Sequence, residues 1–586
     1  MRLRSLILFL CFSFTISNLQ AQHWVGSVSP GLNANAVDKS AAIDITFTRD
    51  ILLQTLIQGG LRIHGSLTGF ISAAEITYNQ NTLTATFTPT AAYKAGETVT
   101  VSVTSITHGA MGEGSMPNPY VFQFRVKSAP AMAAFSVSST VNVGSGADAP
   151  YFITAGDFNG DGHVDLATAN KSSSTVSILM NDGTGNFSIT SNPTPGGTPD
   201  AITAADFDND GFLDLAVPTA NNNRMVPLLN NGSGGFSAGA VVVVGNFPHG
   251  INSGDLTGDG RADITVSNFN TATISILRNT GGSQFEVSSS PAVNTGAEST
   301  IIADFSNDGD LDLAVSHFST ANFIVLENNG GSFSSSTSSL LGSAAHLAGA
   351  GDLDNDGWVD AIVSHNGANN LTVLMNDGNG SLVPQPTISQ AGAPWSAITC
   401  DLDGDGDLDA VTTSYSSSRL FIYENNGEGN LTAKPGIIVG SSPHLAVCAD
   451  FNGDDALDLA VANDGSNTVS ILLNQPTVGI EDDISTAPQE FSLSQNYPNP
   501  FNPSTEIRYT LPTASSIQLT IFNIVGEAVK TLVDGQKAAG TYTAVWNGIE
   551  DSGKQAASGI YFYQLKVAGD TGASGNIITK RMILMK

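Results

Sequence analysis

Cysteine is almost missing from this chain, with three residues in 586, and one of them, Cys11, lies inside an apolar N-terminal run. A disulfide framework is therefore excluded as the main source of stability. Cys400 and Cys448 either bridge neighbouring units or serve as small buried apolar groups, and the second reading is favoured. Basic charge is scarce as well: 22 Lys and Arg stand against 53 Asp and Glu, a formal charge of −31. That balance excludes nonspecific attraction to nucleic acid or to anionic lipid. Long apolar runs are absent beyond residues 6–16, which follow Arg2 and Arg4 and precede a polar stretch ending at Ala21. This pattern is a secretory signal over residues 1–21, too short to span a bilayer, so no transmembrane segment is expected in the mature chain. Catalytic signatures are missing too, with no HExxH, no GxSxG and no phosphate-binding Gly-Lys loop.

What the chain has in abundance is one nine-residue segment. Asp157-Phe-Asn-Gly-Asp-Gly-His-Val-Asp165 returns at Asp206, Asp255, Asp304, Asp352, Asp401 and Asp450, at intervals of 49, 49, 49, 48, 49 and 49 residues. One supersecondary unit copied seven times at that period indicates a propeller or an array. Positions 1, 3, 5 and 9 of each copy carry side-chain oxygens. They are Asp157, Asn159, Asp161 and Asp165; Asp206, Asp208, Asp210 and Asp214; Asp255, Thr257, Asp259 and Asp263; and Asp304, Ser306, Asp308 and Asp312. The last three copies give Asp352, Asp354, Asp356 and Asp360; Asp401, Asp403, Asp405 and Asp409; and Asp450, Asn452, Asp454 and Asp458. Several oxygens converging on one point suit a hard cation, so up to seven structural Ca2+ ions are expected. Seven divalent ions carry 14 positive charges and would bring −31 to −17, so much of the acidity is metal-site acidity. An EF-hand uses a similar DxDxDG core, but between helices and with a Glu at position 12. Here strand-like Leu-Ala, Ile-Thr or Ala-Val follows position 9, and the ion would cap a β-hairpin. The alternative is a metal-free Asx-turn, above all in the seventh copy, where Asp455 replaces the turn glycine.

Residues 23–127 alternate at strand period (Ile43, Ile45, Phe47; Val99, Val101, Val103; Phe122, Phe124, Val126), which predicts a β-sandwich. Residues 127–134 form a small-residue linker, and the repeats occupy 133–475. Each repeat holds four strand-like stretches, the blade of a β-propeller. Asn-X-Gly turns at Asn181, Asn230, Asn279, Asn328, Asn376 and Asn425 join the third and fourth strands, and the seventh copy lacks one. The fourth strand missing there is expected from residues 135–143, which would close the ring. A polar linker over 476–490 leads to a second small sandwich over 491–586, where Ile517, Leu519 and Ile521 alternate, as do Tyr561, Tyr563 and Leu565. The fold class expected is all-β: a seven-bladed β-propeller flanked by two small β-sandwich domains.

Three resemblances follow from these residues. Ser29-Pro30-Gly31, the strand at 43–47 and Phe122-Gln-Phe124 resemble bacterial Ig-like modules of the SbsA type. Segments such as Asp206-Phe-Asp-Asn-Asp-Gly-Phe-Leu-Asp214 and Asp401-Leu-Asp-Gly-Asp-Gly-Asp-Leu-Asp409 resemble the FG-GAP or VCBS repeats of the integrin α propeller and of bacterial surface proteins. That resemblance implies structural ions and a binding role without naming the ligand. Asn496-Tyr-Pro-Asn-Pro-Phe-Asn-Pro503, Ile521-Phe-Asn-Ile-Val-Gly526, Gly559-Ile-Tyr561 and the basic ending Lys580-Arg-Met-Ile-Leu-Met-Lys586 resemble a type IX secretion sorting domain. It implies the type IX export machinery as a partner and a secreted or outer-surface location on a Gram-negative bacterium.

One further position aligns across the copies. Six residues before each loop stand Tyr151, Asp200, His249, Glu298, His346, Trp395 and His444, all polar or aromatic, and Pro precedes five of them. About six residues of strand, roughly 20 Å, separate them from the loops. They would ring the opposite mouth of the channel, with Trp395 and Tyr151 as stacking platforms and the acids and His as hydrogen-bonding groups or a metal cluster. An ordinary solvated rim is the plain alternative. The function expected is a calcium-binding surface propeller acting in binding or adhesion toward an extracellular glycan, polysaccharide or protein. The alternatives are a polysaccharide lyase or hydrolase at the channel mouth and a passive surface-layer component.

Overall fold

The computed structural model describes residues 24–143, 149–475, 492–494, 496, 499, 501, 504–511, 515–537, 540–567 and 577–584. The stretches read as a signal, 1–21, and as a linker, 476–490, lie outside the described residues. The chain is almost entirely β and divides into two compact units, residues 1–478 and 479–586.

From Pro150 onward, seven antiparallel sheets of four or five strands follow one another. Sheet 1 is Pro150–Gly156, Asp165–Asn170, Thr175–Asn181 and Phe187–Ser191, in that order. The second strand of every sheet is buried at all six positions. Such a strand is covered on both faces, which is why it reads Asp-Leu-Ala-Val or Asp-Ala-Ile-Val with no solvent-side alternation. The first strands of consecutive sheets lie side by side, and that of sheet 7, Pro443–Ala449, lies against that of sheet 1. The circle is closed, and the architecture is a β-propeller. Its last sheet is completed from upstream: Ser136–Asn142 pairs with Thr468–Leu473, Val141 opposite Val469 and Val137 opposite Leu472.

One asparagine per sheet fastens neighbours together. The Asn279 side chain donates to the Phe207 carbonyl of the preceding sheet at 2.8 Å, while its backbone N–H donates to Asp263 Oδ1 at 2.8 Å. Asn181 makes the equivalent bond to Phe451, tying sheet 1 to sheet 7. The seventh copy lacks the Asn-X-Gly turn, yet Asn474 bonds to Leu402 and Asp458 in the same way. The asparagine is therefore retained for its side chain where the turn is gone. Asn279→Ala strands a buried carbonyl and is expected to cost about 2 kcal/mol in urea unfolding.

Residues 24–127 form two four-stranded sheets packed face to face around Ile43, Ile45, Phe87, Val99, Val101 and Phe122. Residues 127–134, the small-residue linker, lie along the propeller loops. Ala129 N–H donates to the Asp455 carbonyl at 2.7 Å, and Ala131 N–H to the Asp403 carbonyl at 2.8 Å. Small side chains let this backbone lie directly on the propeller loops; a Cβ at Gly404 (φ 73) would fall 2.3 Å from the Ala129 oxygen.

The C-terminal unit has a three-stranded sheet (Ser492–Leu493, Thr505–Leu511, Gly540–Trp546) and a four-stranded one (Ala528–Lys537, Ser515–Phe522, Gly559–Val567, Ile577–Leu584). Trp546, Tyr509, Tyr563 and Leu519 fill the core between them.

Candidate functional site

Each nine-residue loop joins the first strand of a sheet to the second. In loop 2, Asp206 Oδ1 accepts from Asp210 N–H at 3.1 Å and Oδ2 from Gly211 N–H at 3.0 Å, folding the loop back on its first residue. This brings carboxylate oxygens of Asp206, Asp208 and Asp210 within 4.8 Å of one another, and the same holds for Asp352, Asp354, Asp356 and for Asp401, Asp403, Asp405. In the other four loops position 3 is Asn159, Thr257, Ser306 or Asn452. Thr257 and Ser306 lie against the Asp263 and Asp312 carboxylates and favour their ionised form against burial. Burial, backed by neighbouring carboxylates, pushes Asp206 and Asp352 up to about 6. These sets offer the clustered oxygens and excess negative charge that a hard divalent cation requires.

Position 9 also organises the backbone of its own sheet. Asp214 begins the second strand, fully buried, and accepts from Phe207 N–H at 3.2 Å and from Asn230 N–H at 2.7 Å. It belongs to no carboxylate triad among the described residues. Burial pushes it up to about 8. In loop 7, Asp455 adopts the left-handed conformation (φ 66) that glycine takes elsewhere, and its carboxylate pairs with Lys39 of the Ig-like domain.

That pairing is one of many, because the N-terminal sandwich sits on the loop face. Leu67 accepts from Asp157 N–H at 2.9 Å, held in place by the buried Glu97 carboxylate, which takes the Leu67 and Thr68 N–H groups at 3.0 and 2.8 Å. Val121 N–H donates to the Gly309 carbonyl at 2.6 Å, Asn35 to the Asp352 carbonyl at 3.0 Å, and Ser128 to Asp401 Oδ2 at 3.0 Å. A cavity of 470 Å³ lies between sandwich and channel, lined by Leu67, Phe124 and Arg125 on one side and by Ala204, Ile302 and Val447 on the other. The loop-side mouth of the channel is thus covered. Cys448 lines the same cavity, and it and Cys400 are free thiols.

At the opposite ends of the first strands, the seven aligned residues come together. A circuit of rings runs Tyr151–His444 (3.9 Å between centroids), His444–Trp395 (4.6 Å), Trp395–His346 (4.6 Å), His346–Phe318 (4.8 Å), Phe318–Phe269 (6.4 Å), Phe269–His249 (6.1 Å) and His249–Tyr151 (6.1 Å). Asp200 and Glu298 lie within it. His249 Nε2 is 3.7 Å from Asp200 and 3.9 Å from Glu298, and His346 Nδ1 is 3.2 Å from Glu298. Burial pushes the Glu298 carboxyl up, but the adjacent His249 and His346 outweigh it and hold the group below its usual value. Trp395 Nε1, His249 Nδ1 and His444 Nδ1 are buried with no hydrogen-bond partner. Asp200, His249, Glu298 and His346 thus form a chain of facing acids and imidazoles.

The FG-GAP-like repeat model matches residues 137–217, 255–315, 304–363, 352–412 and 401–461. The propeller carries FG-GAP-like repeats. A bacterial Ig-like domain model matches residues 21–126, and the FlgD Ig-like domain model matches 502–573. No curated protein matches the chain. Among solved structures, BBS1N in complex with ARL6DN is similar at 12% identity over 58% of this chain and 98% of that one, TM-score 0.44. The periplasmic gluconolactonase PpgL of Pseudomonas aeruginosa is similar at 15% identity over 64% of this chain and 97% of that one, TM-score 0.39. PorZ, described as an essential surface component of the type IX secretion system of Porphyromonas gingivalis, is similar at 12% identity over 96% of this chain and 82% of that one, TM-score 0.39. At these values the likenesses assign no function to this chain.

Part of the FG-GAP-like propeller's collar escapes a reading based on the first strand alone. Phe269, Phe318, Tyr415, Lys171 and Asp464 each follow a second strand, at Lys171, Ala220, Phe269, Phe318, Asn366, Tyr415 and Asp464 across the copies. The repeat interval that aligned Tyr151 with Trp395 aligns these residues too, and that signal was there to find.

Proposed function

We propose that this chain is an exported, calcium-stabilised binding module that presents the collar to a ligand outside the cell. The observation that carries this reading is the ring circuit itself: aromatic faces and unpartnered buried nitrogens gathered at the one channel mouth that the Ig-like domain leaves uncovered. Unpaired buried polar atoms are rare in folded proteins and call for a partner. Calcium in the loops is supported by the carboxylate triads and by the side-chain oxygens repeated at positions 1, 3 and 5 of every copy. Those residues would hold the ions, whose part is to neutralise and fix the loops under the Ig-like domain. Export is supported by the N-terminal signal pattern and by the type IX sorting motifs between Asn496 and Lys586. Among the described residues no helix is long and apolar enough to cross a membrane.

Glycan and peptide arrays probed with the full chain in millimolar calcium test the collar. A ligand is expected whose binding falls at least tenfold in Trp395→Ala combined with His249→Ala. Binding that survives both substitutions, with the melting temperature unchanged, would rule out the collar as the site.

A further inference from the structure

Cys400 ends the first strand of sheet 6, Pro394–Cys400, and Cys448 lies one residue from the end of the first strand of sheet 7, Pro443–Ala449. These strands lie side by side, and both cysteines belong to the apolar cluster the two sheets share with Leu402, Ala446 and Leu459. Cys400 stands where the other six copies have glycine or alanine.

The repeat shows where that position points. A Cβ placed on its counterpart Gly254 in sheet 3 falls 3.0 Å from Ile302 Cγ2 of sheet 4, and one on Gly351 in sheet 5 falls 3.4 Å from Thr399 Oγ1 of sheet 6. Ile302 and Thr399 are the counterparts of Cys448. The Cβ of the residue before a loop therefore faces the γ atom two residues before the next loop. Between sheets 6 and 7 both of these residues are cysteine. A disulfide needs its two Cβ atoms about 3.5–4.5 Å apart, a spacing compatible with such a contact. Position along the chain favours two apolar thiols; the facing Cβ and γ atoms favour the bridge.

The two thiols differ as an exchanging pair requires. Cys448 is half-buried and lines the 470 Å³ cavity, and Cys400 is fully buried. The Cys400 thiol beside it, and then the Arg125 guanidinium, which donates to the Thr399 carbonyl at 2.6 Å, pull the Cys448 thiol below its usual range. Burial pushes Cys400 up. The thiolate is the attacking form, so Cys448 reacts first.

We propose that Cys400 and Cys448 close a disulfide between sheets 6 and 7 by exchange with an external disulfide. Cys448 Sγ gives up its proton and attacks one sulfur of that disulfide; the S–S bond breaks, and the departing sulfur takes the electron pair and a proton. Cys400 Sγ, deprotonated in turn, attacks Cys448 Sγ and expels the second sulfur as a thiol. Two thiols of the chain are oxidised and one external disulfide is reduced to two thiols. The exchange runs while the chain folds, before the Ig-like domain covers the cavity. The bond ties the sheet completed by Ser136–Asn142 to its neighbour, so the circle is held beside its seam by a covalent link as well as by the upstream strand. It rests on the export reading only for an oxidising compartment.

The test maps peptides of the full chain, alkylated under denaturing conditions without reductant, in two arms. One arm uses chain exported to a bacterial periplasm; the other uses reduced chain refolded in millimolar calcium with oxidised and reduced glutathione. In both, the peptides holding Cys400 and Cys448 are expected to be linked and unalkylated, and to take one alkyl group each after reduction. Reduction is expected to lower the melting temperature by about 5 °C, and to leave it unchanged in Cys400→Ala combined with Cys448→Ala. Linkage after refolding with free thiols after export supports the pair and counts against the export reading. Both cysteines alkylated in refolded chain that recovers its melting transition overturns the proposal, as does linkage of either to glutathione, to Cys11 or to a second chain. Where refolding does not restore the transition, the exported arm decides alone, and free thiols there overturn the proposal.

Discussion

Chelating divalent ions at pH 8 is expected to lower the melting temperature of the full chain by about 15 °C. A ligand held only by the folded state stabilises it by roughly 2.7 kcal/mol when present at a hundred times its dissociation constant. Three carboxylate triads, at Asp206, Asp352 and Asp401, then supply about 8 kcal/mol, and a domain of this size loses roughly 2 °C per kcal/mol. Without ions, the buried acids are held protonated more readily than in the unfolded chain, Asp214 and Asp409 up to about 8 and Asp165, Asp360 and Asp458 up to about 7. Burial is the main cause in each. A raised acid stabilises the fold below its unfolded value and loses that contribution as pH rises through its folded value. In chelator, stability should therefore rise as pH falls from 8 toward 5. In calcium the slope is reversed, since protons then compete with ions for the carboxylates. Differential scanning fluorimetry across this range checks both signs; parallel curves with and without chelator would contradict the ion sites.

The second large effect concerns closure. Val137 and Val141 lie on the strand Ser136–Asn142 and pack on the cores that sheet 7 shares with sheets 6 and 1. Replacing both with Asp puts two charges on a half-buried face and is expected to cost roughly 4 kcal/mol or more. The same strand covers Val469 and Ile471, both fully buried, so its release also opens a sheet edge to association. Urea unfolding of the double variant is expected to show a shifted midpoint and a second, low-denaturant transition. A terminal cap on an open array would lose under about 1 kcal/mol on the same change, as surface substitutions do.

Much of this architecture was legible because the chain repeats. A period of 49 residues fixes the number of units, and the copy that runs out at Leu473 demands a fourth strand from elsewhere, which residues 136–142 supply. The carboxylate positions were legible for the same reason. The carboxylate at position 9 also holds the backbone of its own sheet, a role that alternation and spacing do not reveal. The docking of the Ig-like domain left no repeating trace, since each contact is local: Lys39 on Asp455, Ser128 on Asp401, Val121 on Gly309. Residues 127–134 read as a linker because small side chains serve a flexible tether and a close backbone approach equally well. The collar was half visible, through the residue that opens the first strand; the residue that closes the second carries the other half.

Native mass spectrometry of the full chain, exchanged from millimolar calcium into volatile buffer, addresses the ion-pinned propeller most directly. The expected spectrum shows at least three retained calcium ions on the wild type and successive loss of them in Asp208→Asn, Asp354→Asn and Asp403→Asn. A folded wild-type protein at its bare mass, indistinguishable from those variants, would contradict it.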